Sequence, residues 1–162
     1  MRKLREISSL SLILFLAGAA FSQDRVPLFK DYPADEVYNG KNAPLVLTKS
    51  DRLFRTRLRE AVQQKPNFAG HYILTTWGCG TTCVTGAVID ANTGRVYWFP
   101  HTTCCWDANV DDKFNPIEFR LQSRLIVFSG LRNEKENDNG AHFYKFENGR
   151  FIHIRSVMKK EK

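Results

Sequence analysis

The sequence lacks several features that would assign it to a common functional class. After residue 22 it has no apolar run near the roughly 20 residues that a membrane-spanning helix needs, so no membrane span is predicted. It contains no block of like charges and no recognisable nucleic-acid-binding module, so we expect no nucleic-acid partner. None of its four histidines lies in a recognisable catalytic motif. These absences favour a binding protein over an enzyme, and no cofactor is expected.

The first residues have the pattern of a secretory signal peptide. A basic start over residues 2–5 precedes an apolar segment over 10–20, which is too short to cross a bilayer. The small residues Ala20 and Ser22 then precede a cleavage site before Gln23. The sequence therefore predicts a periplasmic or secreted protein after cleavage near Ser22–Gln23.

Length and turn-forming residues divide the rest of the chain. About 140 residues remain after the leader, enough for one domain with a hydrophobic core. Prolines and turn formers are frequent before residue 50, so an irregular arm is expected there. The predicted segments are a signal peptide, an irregular arm, a single α+β domain and a frayed tail: 1–22, 23–49, 50–158 and 159–162.

One amphipathic helix is predicted at the N-terminal end of the domain, over residues 50–64. Its apolar side chains fall on one face and its arginines on the other, and Pro66 ends it. Thr48 or Ser50 is expected to cap it, with Asp51 in the first turn. The arginine face and the formal net charge of +7 would suit anionic partners such as cell-wall polymers or lipid head groups, but a solvated surface is the simpler interpretation.

Alternating apolar residues and turn signals predict a meandering antiparallel sheet. Turns are expected at Gly94 and at Asn148–Gly149, where residues that tolerate positive φ separate two strand patterns. The fold class is therefore α+β, with one sheet of about six or seven strands and one N-terminal helix, stapled by disulfides. The candidate strands are 70–77, 83–90, 95–99, 117–121, 124–130, 141–147 and 150–156.

Four cysteines remain in the mature part of the chain: Cys79, Cys83, Cys104 and Cys105. An even number in an exported chain indicates disulfides. The local Cys79–Cys83 bond is favoured, which leaves the adjacent pair to form a distorted vicinal bond or to remain as thiols. The alternative is a crossed pairing, in which Cys79 and Cys83 each meet one of the adjacent pair.

Three stretches of this sequence resemble a group of small, uncharacterised, exported bacterial proteins. They are Gly70-x-Tyr72 through Trp77-Gly78-Cys79-Gly80-Thr81-Thr82-Cys83, then Val88-Ile89-Asp90-Ala91-x-Thr93-Gly94, and Ser129-Gly130-Leu131. The resemblance covers most of residues 66–155. It implies an exported α+β domain, and it brings no activity and no catalytic residue.

The long segment 100–116 is the candidate site of interaction. Loops of this length are usually functional or tied down. It contains His101, Trp106 and Asp107, and a tryptophan anchored in a loop is a common hot spot of protein interfaces. We expect these three residues to contact an unknown protein or a component of the cell envelope.

The alternative function is metal binding or thiol chemistry by the cysteines. The weak candidate ligands, which would suit zinc or copper, are Cys79, Cys83, His101, Cys104 and Cys105. Their spacing matches no common zinc pattern, and an oxidising compartment favours disulfides. The spacing Asp107-x-Asn109-x-Asp111 with Glu118 is similar to a calcium loop, but the glycine of that motif is replaced by Asp112.

Overall fold

The structure is a computed structural model that describes residues 25–106 and 113–160. The predicted signal peptide and its cleavage site lie outside these residues. No helix in the described ranges has the length and apolar character needed to cross a membrane. One α-helix, α1 (Arg55–Ala61), precedes eight strands. The strands are β1 (Tyr72–Gly80), β2 (Cys83–Asp90), β3 (Val96–Trp98), β4 (Thr103–Cys104), β5 (Ile117–Arg120), β6 (Ser123–Arg132), β7 (Gly140–Glu147) and β8 (Arg150–Met158).

All named strands pair antiparallel, in the order β1-β2-β4-β6-β7-β8, with β3 beside β2 and β5 beside β6. The predicted number of six or seven strands is wrong. The additional strand is β4, which lies inside the segment predicted to be a loop. Its two residues pair Thr103 with both Val84 and Arg132, and Cys104 with both Cys83 and Leu131. A strand of two residues has no alternation that a sequence pattern could reveal.

The main core lies between the two halves of the sheet, which β4 joins. Leu74 and Val88 from the first half meet Ile126, Phe128 and Tyr144 from the second in one buried cluster. Phe68, Phe99, Ile117 and Phe146 complete it, and several of these rings meet edge to face. Both sheet halves therefore also need a cover on their outer faces.

The helix covers the outer face of β1 and β2. Leu58 and Ala61 are buried in a second cluster with Ile73, Trp77 and Ile89. The predicted N-terminal placement of the helix is wrong, because α1 lies mid-chain and follows an arm that packs on the domain. It is also shorter than 50–64, since residues Ser50–Phe54 form a 3-10 helix.

Asp51 explains this irregular start. Its carboxylate is buried, accepts hydrogen bonds from the Thr48 N–H (2.6 Å) and hydroxyl (2.7 Å), and accepts another from Trp98 Nε1 (2.8 Å). Burial raises the pKa of Asp51, but these hydrogen bonds outweigh it and hold that pKa below its usual value. No side chain caps the N-terminus of α1, contrary to the predicted roles of Thr48 and Ser50.

The arm covers the outer face of β6 and β7. Phe29 and Tyr32 pack on a third cluster, formed by Leu125, Val127 and Phe143. The Ser123 hydroxyl lies 2.8 Å from the Phe29 carbonyl oxygen and 3.0 Å from the Tyr32 carbonyl oxygen. The fold is thus layered in the order helix, first half-sheet, second half-sheet and residues 29–32 of the arm, while residues 38–47 of the arm lie beside the helix.

Both predicted turns are confirmed. Gly94 has φ +71°, and Asn148 and Gly149 have φ +52° and +71°. Two consecutive positive φ angles are the requirement of the type I′ hairpin that Asn-Gly favours. The Gly94 turn joins β2 to β3, and the Asn148–Gly149 turn joins β7 to β8, whose pairing positions residues of the candidate site.

Candidate functional site

The segment 100–116 is held at its start by pairing on both sides. Besides the pairs of β4, the Cys105 N–H donates to the Thr82 carbonyl at 3.0 Å. The Thr102 N–H donates to Asn133 Oδ1, and the Asn133 N–H donates to the Thr102 carbonyl, both at 3.0 Å. The first six residues of the predicted loop are therefore fixed, and Trp106 follows a rigid support.

Two disulfides lie at the same end of the sheet. Cys79 and Cys83 are bonded, with Cα atoms 5.1 Å apart, and Cys104 is bonded to Cys105. The favoured local pairing is confirmed, and the crossed pairing is wrong. Cys83 and Cys104 are register partners, which brings the two bonds together.

The positions of the cysteines and histidines give little support to the metal or thiol hypothesis. Within the described residues no cysteine is free, and no group of three or more metal-ligating side chains occurs. His71 lies at the end of β1 opposite Cys79, 3.9 Å from Asp90 Oδ1. The candidate calcium residues Asp107, Asn109 and Asp111 lie outside the described ranges.

His101 is not on the surface. Its side chain is 8% exposed, and its ring packs against Phe128 and Tyr144, with centroids 4.8 and 5.5 Å away. Burial lowers the pKa of His101 to about 4. The imidazole is therefore largely enclosed, and its contact with a partner stays a prediction. Of the other two predicted contact residues, Trp106 is partly exposed and Asp107 lies outside the described residues.

His101 belongs to a polar end of the main core that the sequence did not reveal. Its neighbour His142 is fully buried, with ring centroids 6.3 Å apart. The Nε2–H of His142 donates to the carbonyls of Gly130 and Asp138, both at 3.0 Å, so Nδ1 accepts from the Ser156 hydroxyl at 2.8 Å. Burial also lowers the pKa of His142. The only sequence signal for this residue was its inward position in β7.

An ion pair closes this polar end. Arg132 donates from Nε and Nη2 to the two carboxylate oxygens of Asp138, at 2.7 and 2.8 Å, and from Nη1 to the Tyr144 hydroxyl at 3.2 Å. The guanidinium holds the pKa of Asp138 below its usual value, and the carboxylate raises the pKa of Arg132. Such a two-pronged pair fixes the geometry of both side chains.

Two buried polar atoms in this cluster have no hydrogen-bond partner among the described residues: His101 Nε2 and Thr103 Oγ1. His101 Nδ1 lies 3.0 Å from the Thr102 carbonyl, which can only accept, so Nδ1 carries the proton and Nε2 presents a lone pair. A buried acceptor without a donor costs about 1–3 kcal/mol. The buried histidines are thus neutral and enclosed, and neither is placed to act on a substrate in solvent.

The accessible part of the site is a groove beside Trp106, which we call the aromatic groove. Its volume is about 320 Å³, and it runs over the ends of β6, β7 and β8. Trp106 and Phe114, with ring centroids 6.1 Å apart, form one side, while Gly130 and Gly140 contribute only backbone. Ala141 places the groove on the outer face that the arm covers further along. The sequence offers Phe114 as one of several aromatic residues that could form a partner surface with Trp106, and the fold brings these two rings together.

No protein-family model, curated protein or solved structure matches this chain.

Proposed function

We propose that this protein is an exported, non-catalytic domain that binds another protein through the aromatic groove. The observation that carries the proposal is the aromatic pair of Trp106 and Phe114, which lies in a groove over the ends of β6, β7 and β8. Tryptophan in a desolvated concave setting is the residue most enriched among interface hot spots. An apolar side chain of the partner would insert between the rings and the sheet.

The apolar character of the far wall supports the same partner chemistry. Val157 and Met158 line the groove and are 38% and 42% exposed, so their apolar surface is accessible. Methionine adapts its shape to different apolar groups. Burial of these two side chains under a partner would remove apolar area from water and stabilise the complex.

Charged residues of both signs flank the groove, so charge does not define the partner. Lys159 lines the groove, whereas Asp107, Asp111 and Asp112 lie in sequence between Trp106 and Phe114. The partner is therefore defined by its apolar chemistry, as a protein segment that carries one apolar anchor residue.

Export is supported by two independent features. The N-terminal sequence has the pattern of a cleavable signal peptide. Two disulfides in a chain of this size are typical of an oxidising compartment. The partner is accordingly a protein of the periplasm, the cell envelope or the medium.

Site-specific photocrosslinking tests the proposal. A photoreactive phenylalanine analogue replaces Met158 in the groove, and in a matched protein it replaces Leu53, which is 89% exposed and lies in the 3-10 helix. Envelope extract should give adducts at position 158 and not at 53. Mass spectrometry of the adduct should place the crosslink beside an apolar residue of the partner.

The substitution Trp106→Ala decides whether the aromatic pair is responsible. Loss of a hot-spot tryptophan should reduce the crosslinking yield at position 158 by about tenfold or more. Leu53→Ala, which removes a comparable exposed side chain outside the groove, should leave the yield unchanged. Undiminished adducts in Trp106→Ala, or the same adducts from position 53, would refute the proposed groove.

A further inference from the structure

A second concave surface lies between residues 37–45 of the arm and the C-terminal end of α1. We propose that this basic cleft binds an anionic polysaccharide through Lys41, Arg59 and Lys65. Its volume is about 880 Å³, within the range of pockets that hold small molecules or short polymer segments. The cleft shares no lining residue with the aromatic groove.

The walls of the basic cleft are fixed in the unbound protein. Asn42 Nδ2 donates to the carbonyls of Val62 and Gln64, both at 2.7 Å, which ties the arm to the end of the helix. The Ala43 N–H donates to the Ala91 carbonyl at 2.8 Å, so the arm is also tied to the sheet. A ligand therefore meets a formed site and does not have to order these segments.

The same hydrogen bonds remove an obstacle to anion binding. The C-terminal end of a helix carries partial negative charge on its unpaired carbonyls. Here the Val62 and Gln64 carbonyls accept from Asn42. These two carbonyls are therefore occupied by a donor, and the charged side chains that line the cleft are all positive.

The lining of the cleft contains three cations and no carboxylate. Lys41, Arg59 and Lys65 are exposed, and none of them forms an ion pair within the described part of the chain. Asp51 is buried and bonded to Thr48 and Trp98, whereas the exposed Glu36 and Glu60 neighbour the lining in sequence without being part of it. No carboxylate in the lining therefore offsets the positive charge of Lys41, Arg59 and Lys65.

The cations continue beyond the cleft as a stripe. Arg52, Arg55 and Arg59 are all exposed, at spacings of three and four residues, which places them on one side of the helical segment. A chain of repeated anionic groups would contact the stripe and the cleft together. A single small anion would not, so the arrangement favours a polymer.

Neutral hydrogen-bonding groups distinguish a sugar from other anions. The amides of Asn39, Gln63 and Gln64 line the cleft, and each offers both donors and an acceptor. Hydroxyl groups of a polysaccharide also donate and accept, whereas phosphate oxygens of a lipid surface mainly accept. A concave, polar site of this kind suits a hydroxyl-rich chain better than a flat membrane surface.

Binding to polygalacturonate, a carboxylated polysaccharide, tests the proposal, with neutral dextran as the uncharged control. The wild-type protein at physiological salt should bind polygalacturonate and not dextran, as measured by isothermal titration calorimetry. The cleft triple variant, Lys41→Gln with Arg59→Gln and Lys65→Gln, should bind at least about tenfold more weakly.

A charge-matched triple variant separates a site from general attraction. Lys30→Gln with Lys135→Gln and Arg150→Gln removes the same charge from exposed positions outside the cleft. It should keep its affinity within about twofold, because exposed charges beyond a Debye length of about 8 Å are screened. Equal weakening of both triple variants would overturn the proposal in favour of non-specific attraction.

Two further measurements complete the test. Gln63→Ala with Gln64→Ala should weaken polygalacturonate binding without changing its dependence on salt, because the amides contact hydroxyls and not charges. Vesicles containing phosphatidylglycerol serve as the lipid probe. Cleft-dependent binding to these vesicles without binding to polygalacturonate would overturn the proposal and assign the cleft to a membrane surface.

Discussion

Replacement of His101 by phenylalanine tests whether the buried imidazole destabilises the fold in acid. The ring is 8% exposed and its pKa is lowered to about 4 by burial, whereas a histidine in an unfolded chain titrates near 6.5. Between these two values the unfolded chain binds a proton that the folded protein does not. Stability therefore rises with pH across this window and falls as the pH drops from about 6.5 toward 4.

The magnitude follows from the size of the pKa difference. At about 1.4 kcal/mol for each pH unit, protonation of His101 in the unfolded chain lowers the free energy of unfolding by about 3 kcal/mol in all. About 2 kcal/mol of this loss occurs between pH 7 and pH 5. Phenylalanine carries no titrating group and matches the aromatic surroundings of Phe128 and Tyr144. It also removes the unpartnered Nε2, while the Thr102 carbonyl keeps the hydrogen bond from Asn133.

Urea unfolding followed by tryptophan fluorescence measures both proteins at a series of pH values. At pH 7, His101→Phe should be at least as stable as wild type to within about 1 kcal/mol. At pH 5 it should be more stable by about 2 kcal/mol. Phe128→Leu changes the same packing without removing an ionisable group, so its pH dependence should follow wild type. Parallel curves for His101→Phe and wild type would refute the reasoning.

Three further substitutions test other parts of the structure. Joint replacement of Cys79 and Cys83 by serine should lower the free energy of unfolding by about 2 kcal/mol, the value for a short loop, and unchanged urea midpoints would contradict it. Gly94→Ala should cost about 2 kcal/mol or more in the same assay, because φ is +71° and a Cβ would meet the Pro44 carbonyl oxygen. Gly78→Ala should cost less than half as much, because its Cβ would lie 3.8 Å from the nearest atom, the Cys83 carbonyl oxygen. Arg132→Met should lower stability by about 2 kcal/mol in thermal melts, because it leaves the buried Asp138 carboxylate unpaired. The exposed pair of Arg25 and Asp31 supplies the control, since Arg25→Met should cost under about 1 kcal/mol. Equal losses in the two variants would contradict the importance of the Arg132–Asp138 pair.

Much of the sheet could be predicted because its strands carry local signals. Alternating apolar residues located seven of the eight strands, and Gly94 and Asn148–Gly149 located two of the turns. The Cys79–Cys83 bond was also favoured, since only a short turn separates the two residues. Each of these features depends on residues close together in sequence.

The features that were missed depend on residues far apart in sequence. Thr103 and Cys104 are in a strand only because β2 and β6 meet there. His101 is buried because Phe128 and Tyr144 arrive from the second half-sheet. The segment predicted as a helix begins as a 3-10 helix, in which Asp51 accepts hydrogen bonds from Thr48 and from the distant Trp98, and only Arg55–Ala61 is α-helical. Local propensity does not encode these tertiary contacts.

The short strand β4 lies between the closed main core and the accessible aromatic groove. Thr103 is fully buried in this strand, two residues after His101, whose ring lies beside that of His142. Just beyond β4, Trp106 leaves the sheet and forms the groove with Phe114. The basic cleft lies beside α1, on the opposite outer layer, and its walls depend on Asn42 and not on β4. A substitution in one surface therefore leaves the framework of the other intact, so a protein partner and an anionic polysaccharide would be able to occupy the two surfaces together.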